Sequence, residues 1–213
     1  MTVTSLKKYK GSTYEAELDG ARKIYLHADI IADFGIRTGL ELDRGELRKI
    51  IYASNYRRAF QYALHLLDYR DYSCAEMREK LVKTYKNQEL CDNVMDKLRD
   101  IGVINDKRYA DRLARRLVET KKYGLYRAKR EMALKGLDKF TIEDSLSLFE
   151  DCTEENLAYL LERKYSRLLT DENDRKSIEK VKSSLVRYGY GFDDINRAVR
   201  NYFECADDLQ QED

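Results

Sequence analysis

The chain has 213 residues, of which 43% are hydrophobic and 37% charged, with a net charge of +1 and no proline. That balance excludes one large core and describes small units with much surface for their interior. It also excludes a membrane span, since no apolar run nears the ~20 residues required; with no apolar h-region at its start, the chain is expected to be cytoplasmic.

Cys74, Cys91, Cys152 and Cys205 are scattered with no C-x-x-C pair, and His27 and His65 are the only histidines. Metal ligation needs closer spacing, so reduced, mostly buried thiols are expected, with no metal and no cofactor.

The first elements in chain order are strands. Tyr14, Ala16 and Leu18 alternate with Thr13, Glu15 and Glu17, the period of two of a half-buried strand. Asp19-Gly20 is a strong hairpin signal, so residues 2–28 read as a three-stranded antiparallel meander. A short helix follows near Asp29.

From there the pattern is helical. Asp43 with Glu46, and Ser73 with Glu76, have capping-box spacing, and Asn105 is a good N-cap. Gly102, Gly136 and Gly189 sit where helices should end in a left-handed turn. Helices are expected near 55–69, 73–86 and 88–101, then 106–120, 125–135 and 142–150, then 154–167, 174–188 and 192–203.

These helices form a repeat. Shifts of 51 and then 53 residues lay Met77 and Leu81 over Ala128 and Met132, and those over Val181 and Leu185. Each pair has the i, i+4 spacing of one helix face. The organisation read from this is an N-terminal segment, 1–54, and three three-helix repeats at 55–104, 105–152 and 153–213.

Charge separates the repeats. Residues 105–136 hold eleven Lys/Arg against four Asp/Glu, whereas 137–152 hold one against five and 153–213 hold ten against fourteen. On a helix from Asp106, the residues Tyr109, Ala110, Leu113, Ala114 and Leu117 gather on one side. Arg108, Arg112, Arg115 and Arg116 gather on nearly the opposite one. Lys121, Lys122, Arg127, Lys129 and Arg130 follow. Such a face suits phosphates, through the paired donors of arginine, or acidic protein side chains, through steering; the residues leave both open.

"ALHLLDYRDYSCAEMREKL" resembles the first signature of the RecX family, bacterial regulators of the RecA recombinase. "GVINDKRYADRLARRLVETKKYGLYRAKREMALKGLD" is similar to the second, and "YEAELDG…IYLHADIIADFGIRTGLELD" to the N-terminal extension of longer members. The resemblance implies a mainly α fold, three tandem three-helix, helix-turn-helix-like modules in an elongated crescent. It also implies a regulator that binds in the groove of the RecA–DNA filament and lowers its ATPase, strand-exchange and coprotease activities in DNA repair, recombination and the SOS response. The expected partner is the RecA nucleoprotein filament, with weak non-specific binding to bare DNA and the protein itself a monomer.

No enzyme is expected. The two histidines are far apart, and "GIRTGL" lacks the Gly-Lys-Ser/Thr ending of a phosphate loop. An independent helix-turn-helix DNA-binding regulator is the alternative, against which the putative reading helices carry mixed charge rather than a row of base-reading side chains.

Overall fold

Three antiparallel strands open the chain: β1 (Val3–Lys10), β2 (Thr13–Leu18) and β3 (Arg22–His27), in that order across the sheet. Asp19 and Gly20 both take positive φ, 50° and 70°, as a tight hairpin with right-handed twist demands. The alternation in β2 seats Ala16 and Leu18 in a cluster with Val3, Leu26, Ile30, Ile36, Leu42, Leu47 and Ile50. The computed structural model describes residues 1–211, with side chains through residue 204. Glu212, Asp213 and the expectation for the Cys205 thiol therefore lie outside the described residues.

The helices are α1 (Ala28–Asp33), α2 (Arg44–Tyr69), α3 (Cys74–Tyr85), α4 (Gln88–Asp100), α5 (Asp106–Arg115), α6 (Leu125–Ala133), α7 (Lys139–Ser147), α8 (Cys152–Leu160), α9 (Arg175–Tyr188) and α10 (Phe192–Gln211). They form three three-helix modules, α2–α4, α5–α7 and α8–α10. Among the described residues, no helix is long and apolar enough to cross a membrane.

The chain divides into two compact units, one of residues 1–71 and 77–103, the other of residues 72–76 and 104–213. In the first unit, α2 is one helix of 26 residues started by the Asp43–Glu46 capping box. A separate helix beginning near 55 is not seen: the Asp43–Glu46 capping box starts the helix at Arg44, and no glycine or proline between Glu46 and Asn55 stops it.

Repeated positions are buried to the same degree. Met77, Leu81, Ala128, Met132, Val181 and Leu185 are all 0% exposed. Gly102, Gly136 and Gly189 have φ of 69°, 74° and 92°, the left-handed region that only glycine enters without strain. Asp138 caps α7 by accepting from the Thr141 N–H, which starts that helix three residues earlier than the expected 142.

Two first helices end in wider turns. After α5, residues Arg116–Thr120 wind as a π turn, with the Lys121 N–H donating to the Arg116 carbonyl at 3.0 Å. After α8, Leu161–Tyr165 does the same, followed by a short 3₁₀ turn, Ser166–Leu168. Regular helices over 106–120 and 154–167 were the expectation; the change of winding has no counterpart in the apolar period.

Candidate functional site

The second unit holds the basic segment, and α5 orients it. Asn105 accepts from the Arg108 N–H at 2.8 Å and fixes where the helix starts. Tyr109, Ala110, Leu113 and Ala114 are buried in a core with Ala128, Met132, Leu137, Ile142 and Leu146. The opposite face carries Arg108, Arg112, Arg115 and Arg116, all exposed. Beside it lies an open cleft of about 430 Å³ lined by Asn105, Lys107, Arg108, Asp111, Arg112 and Arg115.

One edge of this face is braced by carboxylates. Lys107 pairs with Asp111 at 2.7 Å and Asp144 at 2.6 Å, and the buried Ser145 hydroxyl donates to Asp111 at 2.7 Å. Burial alone would raise the Asp111 carboxyl, but the hydrogen bonds from Lys107 and Ser145 outweigh it and hold it below the ordinary carboxylate range. This network, which ties α5 to α7, is not visible in the sequence pattern.

The remaining cations divide. Arg115 has only a loose approach to Glu119, 3.9 Å. Arg116 and Arg130 are exposed, and neither has an ion pair among the described residues. Lys121 is exposed, with its ammonium 5.5 Å from the Tyr123 ring centre. Lys129 pairs with Glu143 at 2.6 Å, which holds that carboxyl below its ordinary range.

Arg127 is clamped. Its guanidinium stacks 3.9 Å from the Tyr123 ring centre and donates to the Arg187 carbonyl at 3.1 Å. Of the nine cations singled out from the sequence, Arg127 and Lys129 thus have protein partners that occupy them, and Lys122 is half-buried with its ammonium 5.0 Å from the Tyr159 ring. Arg108, Arg112, Arg115, Arg116, Lys121, Lys129 and Arg130 are all exposed.

Arg127 belongs to a joint between helix ends. The C-terminus of α9 abuts the N-terminus of α6: the Gly124 N–H donates to the Tyr188 carbonyl at 2.9 Å and the Tyr126 N–H to the Gly189 carbonyl at 3.3 Å. Free carbonyls of one helix meet free N–H groups of the other, and opposite ends of two helix dipoles come together. The approach requires glycine on both sides. A Cβ on Gly124 would lie 2.3 Å from the Gly189 oxygen, and one on Gly189 would lie 2.4 Å from the Arg127 Cβ.

The same joint occurs between the C-terminus of α6 and the first turn of α3. The Ser73 hydroxyl donates to the Lys135 carbonyl at 2.5 Å, the Lys135 ammonium pairs with Glu76 at 2.9 Å, and a Cβ on Gly136 would lie 2.3 Å from that of Ala75. Tyr109 also donates to Glu76, at 3.2 Å, and the Cys74 N–H to Asp106, at 2.8 Å. Ser73 and Glu76, which belong to the second unit, therefore cap the start of α3 and also bond Lys135 and Tyr109 within that unit.

Among the described residues, no group of three or more His, Cys, Asp or Glu side chains is arranged to hold a metal ion. What this face offers is polar recognition: a row of arginines on a rigid helix and the turn that follows it, backed by a packed core.

Models of RecX, first, second and third three-helix domain, match residues 59–98, 105–146 and 153–199. A curated relative from Clostridioides difficile (strain 630), "Regulatory protein RecX", is 28% identical over 177 residues, covering 83% of this chain and 82% of its own. A protein of the same name from Bacillus velezensis (strain DSM 23117 / BGSC 10A6 / LMG 26770 / FZB42) is 29% identical over 217 residues, covering 100% of this chain and 81% of its own. Among solved structures, "Crystal structure of regulatory protein RecX" superposes with a TM-score of 0.73 at 21% identity, over 94% of this chain and 98% of that one; that likeness is one of fold.

Proposed function

This chain belongs to the RecX family, and on that premise we propose that it binds the RecA–DNA filament and lowers RecA ATPase, strand-exchange and coprotease activity. The reading is supported most by one observation: three arginines on α5 and a fourth, Arg116, at the start of the π turn stand exposed on one side, opposite a buried stripe. A rigid helix holds the row in register without the entropy loss that four loop side chains would suffer on binding. Planar guanidinium forks at helical spacing suit the repeating phosphates of a nucleic-acid strand. The module is the anchor, and the more acidic modules on either side in sequence meet protein rather than DNA.

Several modules in one chain raise the effective concentration of each successive contact once the first is made. Bare DNA offers only the phosphate part of this surface, so binding to it is weak and falls steeply with salt.

The alternative, a regulator reading base sequence with a helix-turn-helix, fits the side chains less well. The first turns of α3 and α6 are occupied by the ends of α6 and α9, which keeps their first residues from base edges. α7 carries Glu143 and Asp144 with one lysine, Lys139, which phosphates would repel.

The test is a RecA ATPase titration on single-stranded DNA with substoichiometric amounts of this protein. Wild type should inhibit; the variant with Arg108, Arg112, Arg115 and Arg116 all changed to Glu should not, while its far-ultraviolet circular dichroism stays helical. Full inhibition by that variant overturns the anchor, and equal affinity for bare DNA and filament overturns a RecA-directed role.

A further inference from the structure

We propose that Asn156 and Tyr190, both in the third module, are positioning residues that hold the basic turn of residues 116–122 as a fixed part of the anion-binding face. This rests on the function proposed above and concerns how that face is kept in shape.

Within the π turn, the Val118 carbonyl accepts a hydrogen bond from the third module. Asn156, only 3% exposed, donates its Nδ2–H to that carbonyl at 3.2 Å. A buried amide flanked by Leu157 and Leu160 costs free energy unless it is so paired. Further along the turn, Lys122 takes a φ of +54°, a left-handed conformation unfavourable for a side chain of this kind. Its carbonyl accepts the Tyr190 hydroxyl at 2.9 Å, and its ammonium rests near the Tyr159 ring. Tyr190 is itself 5% exposed, and burial pushes its phenol up, so it stays a neutral donor.

The turn therefore has an unusual winding and a strained residue, and each is held by a buried group from the third module. Its cargo is cationic: Arg116 and Lys121 are exposed on it, and Arg115 immediately precedes it. The arginine row on α5 is placed by helix geometry alone. Beyond Arg115 regular α-helical geometry no longer dictates placement, and the third module supplies it.

Tyr190→Phe removes one hydroxyl and keeps the ring, and Asn156→Leu removes the amide donor; neither changes the net charge. Both variants and wild type are compared for affinity toward RecA-coated, fluorescently labelled single-stranded DNA across a range of salt concentrations. Tyr165→Phe serves as control, since its hydroxyl bonds Ser184 within the third module at 2.7 Å and does not touch the turn. The expected result for Tyr190→Phe and Asn156→Leu is affinity weakened by about threefold to tenfold, from one missing hydrogen bond. Their log–log salt slope should also become shallower by about 0.7 for each phosphate that the displaced turn no longer neutralises. Tyr165→Phe should keep the wild-type slope.

An unchanged slope in Tyr190→Phe, or an equal change in Tyr165→Phe, overturns the positioning role. If Asn156→Leu loses its cooperative melt, Tyr190→Phe decides alone. The four-arginine reversal distinguishes the levels: if it binds as wild type does, the anion-binding reading itself is wrong; if it fails while Tyr190→Phe matches wild type, only the positioning inference is.

Discussion

Replacing Gly124 by serine sets two effects against each other. Gly124 is the N-cap of α6, with an ordinary φ of −67° and no side-chain cap, and serine is a better cap than glycine by a few tenths of a kcal/mol. Judged locally, the change should stabilise. The joint reverses the sign. The new Cβ would lie 2.3 Å from the Gly189 oxygen and 2.4 Å from its carbon, both backbone atoms, where ordinary contact starts at 3.4 Å. The helix ends must part by about 1 Å, which stretches the 2.9 Å and 3.3 Å bonds from Gly124 and Tyr126 beyond hydrogen-bonding range. Two broken bonds at about 1 kcal/mol each, with carbonyls left poorly paired, give a loss of about 2–4 kcal/mol. For a unit of this size that lowers the melting temperature by roughly 10 °C. Differential scanning calorimetry, following the transition of residues 104–213, measures it. Gly189→Ala disrupts the same approach, so the double variant should cost clearly less than the two singles added. A Gly124→Ser protein that melts at or above wild type would show that the close approach of the two ends does not hold the joint.

Truncating Met132 to alanine, at a position with no exposure, should cost about 2–5 kcal/mol in chemical denaturation; a loss under about 1 kcal/mol would mean the site collapses freely. Arg127→Lys keeps the charge but loses the stack on Tyr123 and the fork to the Arg187 carbonyl, so a loss of about 1–2 kcal/mol is expected with filament affinity and its salt slope unchanged. A large drop in affinity without loss of stability would put Arg127 in the binding face instead. Glu76→Gln removes the Lys135 pair, whose two side chains are 37% and 18% exposed, and should lower stability at low salt by about 1 kcal/mol or less, with the difference fading as salt rises. For pH, the Asp92, Asp111, Asp138, Glu143 and Asp174 carboxyls are all held below their ordinary values by donors in the fold. The folded state therefore binds fewer protons than the unfolded chain, so their stabilisation is present above the ordinary carboxylate range and is lost as pH falls through their lowered values. Melting temperature should hold near neutrality and drop below about pH 4; Asp111→Asn, titrated alongside, should drop less steeply.

Local signals were legible because they act within one turn. The capping pair Asp43–Glu46, the hairpin at Asp19-Gly20 and the glycines at 102, 136 and 189 each work through neighbours three or four residues away, and each performs in the structure the task its type predicts. The threefold repeat was legible for the same reason, since Met77–Leu81, Ala128–Met132 and Val181–Leu185 mark one buried face three times. Positive charge on Arg127 and Lys129 was equally plain, but its use was not: one stacks on Tyr123 and reaches Arg187, the other pairs with Glu143. The π turns escaped notice because a wider winding leaves the composition of a segment unchanged.

Periodicity, caps and chain punctuation, then, are written residue by residue, and they carried the helices, the meander and the basic stripe of α5. The joints between helix ends, the grip of Asn156 and Tyr190 on the turn, and the partners of Arg127 and Lys129 came from folding. Those interactions join residues about 40 to 70 positions apart, and at that separation no local spacing rule says which donor meets which carbonyl.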